Sequence, residues 1–343
     1  MDLGAVLSPD AMAAIVKRKR LIFHTMGDTG GVNTTTYQQH VADYLEADFV
    51  EPETDANPNP SFLYHLGDVV YYDGEIENYY WEFYEPYLHY PGPIMAIPGN
   101  HDGDIDPIDP NNKPSDSLKG FVRNFCAQAV VHLPEADDAP RDAMTQPNVF
   151  WTLTTPLATI IGLYTNVPEG GVLGQNQLQW LQQELAGAAK DQALILALHH
   201  PLYSAYGHHP GSAHLKSVVE EAAKAAKRTP DLILSGHVHD YQRFNGNING
   251  NTVPTLVVGA GGYNQKLHTL DKKLFQPSGC PYRMSDGPET LESFNDQQHG
   301  YLVVDITPKK IVGSYIAVDE TKSGPPDTPA RLGKPYDSFE IDL

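Results

Sequence analysis

The sequence predicts an α/β fold with both strands and helices contributing to one large core. Three observations support this. Short apolar runs of strand character alternate with segments of helical periodicity. Five of those runs end in a glycine- or histidine-containing polar motif. The chain has 343 residues, 41% of them hydrophobic, enough for a single large domain. We expect residues 1–20 to form a helical or extended lead-in and residues 21–343 one domain, since no composition shift or internal repeat marks a boundary.

The elements follow in order. Lys17-Arg18-Lys19-Arg20 reads as a solvated approach to a strand. The strand Leu21-Ile22-Phe23 leads to Gly27-Asp28-Thr29-Gly30, and a helix is predicted from Thr35 to Leu45. Phe62-Leu63-Tyr64 leads to Gly67-Asp68-Val69-Val70-Tyr71. Tyr79 to Tyr87 reads as an aromatic helix; this cluster, with Tyr80, Trp81, Phe83, Tyr84 and Tyr90, is expected to pack in the core. Ile94-Met95-Ala96-Ile97 leads to Gly99-Asn100-His101-Asp102.

Long Pro-, Asp- and Asn-rich loops at 103–117 and 134–148 flank a predicted helix from Leu118 to Val131. Val149–Leu153 and Ala158–Leu163 predict a hairpin, and Gln175–Ala186 an amphipathic helix. Ala193–Ala197 leads to Leu198-His199-His200-Pro201. A helix over Val218–Lys227 precedes Leu232-Ile233-Leu234, which leads to Gly236-His237-Val238-His239. Thr255–Val258 ends in a glycine turn, and Tyr301–Asp305 with Ile311–Ala317 closes as a hairpin.

Composition narrows the function classes. Lys and Arg number 23 against 43 Asp and Glu, a formal charge of −20. Such a surface repels nucleic acid and anionic membranes. A small anionic substrate stays compatible, because bound metals invert the local field. Cys126 and Cys280 are expected to be buried free thiols. Asp2 and Ser8-Pro9-Asp10 do not suit a secretory leader, and no run approaches the ~18 apolar residues of a membrane span. A cytoplasmic or otherwise soluble protein is expected, with secretion only if a leader has been removed. Nothing in the sequence sets the oligomeric state.

The five motifs carry the chemistry. In α/β sheets ligands bind beyond the carboxyl ends of strands, where all of these motifs lie. Together they offer Asp28, Asp68, Tyr71, Asn100, His199, His237 and His239: two carboxylates, a phenol, an amide oxygen and three imidazoles. This set suits two adjacent ions such as Zn, Mn or Fe, with Asp68 able to bridge them. A phenol with a pKa of ~10 binds as phenolate only to a strongly Lewis-acidic ion, for which Fe3+ is the natural candidate. Two adjacent metals point to phosphate-ester hydrolysis. His24 and His65 read as packed or supporting residues. Asp102-Gly103-Asp104-Ile105-Asp106 is not an EF-hand, because Pro107 and Lys113 replace its glycine and glutamate.

The ordered motif set resembles the calcineurin-like metallophosphoesterase superfamily. Within it, Asp28-Thr29-Gly30 lacks the histidine most members carry in the first motif, while Tyr71 appears in the second. That exchange, with His208-His209 downstream of His199, is similar to the purple acid phosphatases over about residues 20–320. The resemblance implies a four-layer α/β/β/α sandwich of two mixed sheets, with a dinuclear site at the strand C-terminal ends. It implies Asp28, Asp68, Tyr71 and His239 on Fe3+, and Asp68, Asn100, His199 and His237 on a divalent ion (Fe, Zn or Mn). His101, His208 and His209 would face substrate.

The implied reaction is hydrolysis of a small phosphate monoester. Metal-bound hydroxide attacks phosphorus, and His101 or His208 acts as general acid. About twenty residues precede the first motif, so neither the N-terminal β-domain of larger relatives nor their secretory leader is expected. Two other functions share the pattern: a cyclic-nucleotide or other phosphodiesterase on the same metals, and a non-catalytic scaffold, whose metal positions would have decayed.

Overall fold

The computed structural model describes residues 1–32, 34–104, 116–166, 173–271, 279–284 and 287–343. Helix α1 (Pro9–Arg18) is capped by Ser8, whose hydroxyl accepts from the Ala11 N–H, with proline at the first helical position. It leads into β1 (Leu21–Met26), α2 (Thr36–Ala47), β2 (Leu63–His65) and β3 (Ile94–Ala96). The short α3 (Asn100–Gly103) and α4 (Lys119–Phe125) follow. Then come β4 (Trp151–Thr154), β5 (Ala158–Gly162), α5 (Gln175–Gly187), β6 (Ala193–Ala197), α6 (Ala213–Ala226) and β7 (Leu232–Ser235). The chain ends with β8 (Tyr241–Ile248), β9 (Asn251–Val258), β10 (Tyr282–Arg283), β11 (Thr290–Asn295), β12 (Gly300–Thr307), β13 (Lys310–Ala317) and β14 (Asp337–Asp342).

These strands form two mixed sheets. One has the order β14-β13-β12-β1-β2-β3, the other β10-β11-β8-β9-β7-β6-β5-β4. In the first, β1, β2 and β3 are parallel. In the second, β5, β6, β7 and β9 are parallel. Alternation along β6 shows how the layers form. Ala193, Ile195 and Ala197 join the core between the sheets, with Phe23, Tyr64, Trp151 and Tyr301. Leu194 and Leu196 point the other way, onto Leu181 and Leu185 of α5 and Leu215 and Val219 of α6. A strand buried on both faces reads as a continuous apolar run, as β6 does. Helix α2 joins the first sheet through its C-terminal end: Tyr301 donates to Asp48, which also lies 3.2 Å from His24. The result is the four-layer α/β/β/α sandwich.

Several elements differ from expectation. The aromatic stretch is not an α-helix but a short turn and one π-helical turn over Tyr80–Tyr84, closed by the Glu85 N–H donating to the Tyr80 carbonyl. Its packing is as expected for Tyr79, Phe83, Tyr84, Tyr87 and Tyr90, which are buried, whereas Trp81 is 59% exposed. The helix expected over Leu118–Val131 stops at Phe125, because the chain turns to pair with a neighbouring segment: Cys126 bridges Thr145, and the Ala127 N–H donates to Met144. Cys126 and Cys280 are free but only half-buried. The lead-in is tied down, since the Met1 carbonyl accepts from the Thr154 N–H on β4. Arg18 pairs with Glu53 and Asp55, and Arg20 with Asp305, so the basic run is a solvated, ion-paired approach to β1. No helix among the described residues is long and apolar enough to cross a membrane.

Candidate metal centre

Five parallel strands, three from one sheet and two from the other, deliver their C-terminal ends to one place. Asp28 follows β1, Asp68 and Tyr71 follow β2, Asn100 follows β3, His199 follows β6, and His237 and His239 follow β7. Asp28, Asp68 and His237 have φ of 60°, 54° and 71°. Left-handed backbone at non-glycine residues is costly and gathers where side chains must be aimed.

The seven donors fall into two groups that share Asp68. On one side, the Tyr71 hydroxyl lies 3.1 Å from Asp68 Oδ2, 3.3 Å from His239 Nε2 and 3.5 Å from Asp28 Oδ1. His239 Nε2 is also 3.5 Å from Asp28 Oδ1. On the other side, His199 Nε2 lies 3.3 Å from Asp68 Oδ2 and 3.1 Å from Asn100 Oδ1, which is 2.9 Å from His237 Nδ1. Asp68, His199 and His237 offer donor atoms that all lie within 4.8 Å of one another.

The supporting bonds aim these groups. His199 Nδ1 is 2.8 Å from the Leu66 carbonyl, which turns Nε2 toward Asp68. The Asp28 carboxylate accepts from the His237 N–H, and Asp68 Oδ1 from the His101 N–H. His65 fits the supporting role: its Nδ1 accepts from the Gly67 N–H, and its Nε2 lies 2.9 Å from Thr29 Oγ1. His24 is a core residue between Asp48 and Tyr90.

The electrostatics are those of a cation site. Burial raises Asp28 above the carboxylate range, and neighbouring Asp68 adds to the rise. Burial also opposes ionisation of Asp68, but the adjacent His199, an imidazolium only while no metal takes its Nε2, outweighs it and holds that carboxylate low. Burial pushes His239 down to about 3 and His237 well below its usual value, so both stay neutral, the form that ligates metal. Burial and the two carboxylates hold the Tyr71 phenol well above its ordinary range in the protein alone. Two hard carboxylates, an amide oxygen and three imidazoles, buried or half-buried with no lysine or arginine among them, are chemically suited to two transition-metal ions.

A cleft of about 390 Å³ opens onto this cluster, lined in part by His101, His200, His209, Tyr263 and His268. His101 Nδ1 is 2.7 Å from the Tyr72 carbonyl, so its N–H is engaged there and Nε2 is left for the cleft. The His209 ring lies 4.6 Å from that of His237. His208 departs from expectation. It is exposed and lines an adjoining cleft with Tyr206, Lys266 and Asp271; that cleft reaches His239 but not Asp68, Asn100 or His237.

Four further residues, which no motif assigns, complete the site. Asp102 is buried and accepts from the Val69, Val70 and Gly99 N–H groups, which also removes it from any calcium loop; residues 105–113 of that loop lie outside the described residues. His268 stacks on His239 at 4.3 Å and 8°, and its Nδ1 accepts from the His239 N–H. The Tyr263 ring lies 4.1 Å from that of Tyr71. His200 shares the cleft wall; its position in the His199-His200 pair was the one available signal. Gly259-Ala260-Gly261-Gly262 is a turn, as expected, bonded to Gly27 through the Gly261 N–H.

The sandwich and its donor-lined cleft define a metallophosphoesterase. The chain belongs to the calcineurin-like phosphoesterase family, whose model matches residues 24–241. It is 30% identical over 142 residues to Fe(3+)-Zn(2+) purple acid phosphatase 12 of Arabidopsis thaliana, covering 36% of this chain and 30% of that protein. It is 31% identical over 128 residues to purple acid phosphatase 15 of the same plant, covering 34% and 23%. The matches thus span under a third of those relatives' length. In fold it is similar to purple acid phosphatase PPD1 from yellow lupin seeds, with a TM-score of 0.61 at 16% identity over 94% of this chain and 54% of that one. It is equally similar to GAP50 of Plasmodium, with a TM-score of 0.61 at 15% identity over 94% and 89%.

Proposed function

We propose that this protein hydrolyses small phosphate monoesters at a dinuclear centre, in the manner of a purple acid phosphatase. The observation that carries the proposal is the division of seven donors, five of them buried and His237 and His239 half-buried, into two sets that share Asp68. Asp28, Asp68, Tyr71 and His239 would hold Fe3+; Asp68, Asn100, His199 and His237 would hold a divalent ion. The phenol favours a trivalent ion, and the relative with Fe(3+)-Zn(2+) in its name supports the pairing. When bound, such ions supply Lewis acidity toward the phosphate and lower the pKa of water beside them.

The chain's own residues would do the rest. His209, at the cleft wall beside His237, orients the phosphate. His101 has Nδ1–H engaged by the Tyr72 carbonyl, so it would give a proton to the leaving oxygen from Nε2 of its imidazolium form and be left as the neutral Nδ1–H tautomer. His208, in the adjoining cleft, would meet the leaving group only if that group extends there. The intact donor set counts against a non-catalytic scaffold.

The test is elemental analysis combined with paired assays. Purified protein should carry about two transition-metal ions per chain. It should hydrolyse p-nitrophenyl phosphate faster than the bis-ester. The reverse preference would favour a phosphodiesterase, and full activity in metal-stripped protein would overturn the proposal.

A further inference from the structure

His200 is 5% exposed, yet its Nε2 has no hydrogen-bond partner among the described residues. The same ring forms part of the cleft wall, with its centroid 4.4 Å from that of His237 and 5.2 Å from that of His199. Buried polar groups are almost always paired, so this exception calls for a reason.

The tautomer follows from a count of donors and acceptors. His200 Nδ1 lies 2.8 Å from the Thr165 hydroxyl, which also accepts from the His200 N–H. Thr165 is fully buried, and these are the hydroxyl's two contacts among the described residues. If the hydroxyl donates to Nδ1, its proton is used and only an Nε2–H is left over. If Nδ1–H donates instead, both the hydroxyl proton and the Nε2 lone pair are stranded. The first arrangement leaves one unpaired group rather than two, so it prevails. His200 therefore carries a fixed N–H, not a lone pair, within the cleft wall beside His199 and His237, where the atom has no contact with solvent in the protein alone.

We propose that His200 is a substrate-binding residue whose Nε2–H donates to a phosphate oxygen on the divalent-metal side of the centre. The inference rests on the phosphoesterase reading above. Thr165 acts through His200 as a positioning residue that fixes its tautomer. A donor already pinned by a buried partner loses little freedom when the anion arrives, the condition for effective preorganisation.

The experiment uses the metal-loaded full chain and measures orthophosphate affinity by calorimetry, with metal content by elemental analysis. His200→Phe keeps the ring volume and removes the donor. Its orthophosphate Kd should rise about 10- to 100-fold, the usual worth of a hydrogen bond to a charged group, with both metals retained. His200→Gln restores an N–H and should recover part of the affinity. Fluoride, a small ion that binds metal directly, should inhibit both variants like the wild type. Thr165→Val, which leaves His200 in place, should weaken orthophosphate in the same direction by less, and serves if His200→Phe does not fold. Unchanged orthophosphate affinity in His200→Phe and Thr165→Val would overturn the inference while leaving the phosphatase reading intact. Loss of a metal in His200→Phe and His200→Gln alike would overturn it by making His200 a ligand. A wild type that binds neither metals nor orthophosphate would defeat the phosphatase reading and this inference together.

Discussion

Replacing Asp102 by alanine should destabilise both the protein and its metal centre, though Asp102 itself ligates nothing in the proposed scheme. The carboxylate is 1% exposed and takes three backbone N–H groups: Gly99 at 2.8 Å, Val69 at 3.1 Å and Val70 at 3.3 Å. These belong to the two loops that carry Asp68 with Tyr71 and Asn100 with His101. Alanine would strand all three donors, each costing ~1–3 kcal/mol when buried and unpaired. Against that stands relief of a carboxylate that burial, with Asp68 nearby, drives toward its neutral form. The net expectation is a loss of ~2–4 kcal/mol. Asp102→Asn keeps one acceptor oxygen and should fall between wild type and alanine. Urea unfolding at constant slope measures the energy through the shift in midpoint. Elemental analysis should show sub-stoichiometric metal in Asp102→Ala. A loss below ~1 kcal/mol with two metals still bound would refute the claim that this carboxylate joins the loops.

Other expectations follow from the same geometry. The oxidised protein should absorb in the visible through a Tyr71–Fe3+ charge-transfer band, and Tyr71→Phe should abolish it without unfolding; a colourless, active wild type would exclude iron at Tyr71. His101→Ala should keep both metals and lower kcat by ~10²–10⁴, more for an alkyl phosphate than for p-nitrophenyl phosphate, whose leaving group hardly needs a proton. His208→Ala should cost far less on small substrates, since it lines the adjoining cleft; equal losses in the two variants would contradict that placement. Burial holds His24 below its ordinary pKa, with Asp48 opposing in part. The unfolded chain therefore takes this proton first as pH falls, so the contribution is present above pH ~6.5 and lost as pH drops through it. His24→Gln should flatten the fall in urea midpoint between about pH 7 and 5, and an unchanged slope would exclude His24 as a source.

The metal centre was legible because each donor sits just beyond a run of residues buried on both faces of a sheet, such as Ile22-Phe23 or Leu194-Ile195-Leu196. Those runs are largely apolar, broken only by buried residues such as His24, Thr25, His65 and Ser235, and a motif follows each. The strands that were missed lack this signature. Tyr241–Ile248 contains Arg243, Asn245 and Asn247 because from Gln242 onward only alternate residues are buried. Asp337–Asp342 is an edge strand with no fully buried residue, and its Asp337 pairs with Arg243 on the other sheet. The aromatic segment has spacing that suits helical packing, while its backbone takes the wider turn closed by Glu85 on Tyr80, which spacing alone does not reveal. His208 and His209 are adjacent in sequence and indistinguishable there. Only the path of the loop turns one toward His237 and leaves the other exposed.

The glycines of the motifs tie these observations together. A side chain at Gly67 would meet the Gly99 N at 2.6 Å and His199 Nδ1 at 2.7 Å; one at Gly99 would meet Asp68 Oδ1 at 2.1 Å. The neighbours that forbid a Cβ at one motif are therefore the ligands and backbone of the other motifs. Glycine before Asp28, Asp68, Asn100 and His237 is a condition of mutual packing among the motif loops rather than a local turn preference. That is why motifs that are weak singly become decisive together: the ordered set encodes contacts across the centre, between β2 and β3 in one sheet and β6 in the other. It also sets what substitution can do. Gly99→Ala would press on Asp68, the one carboxylate common to both donor groups, and so should disturb both metal positions at once rather than one.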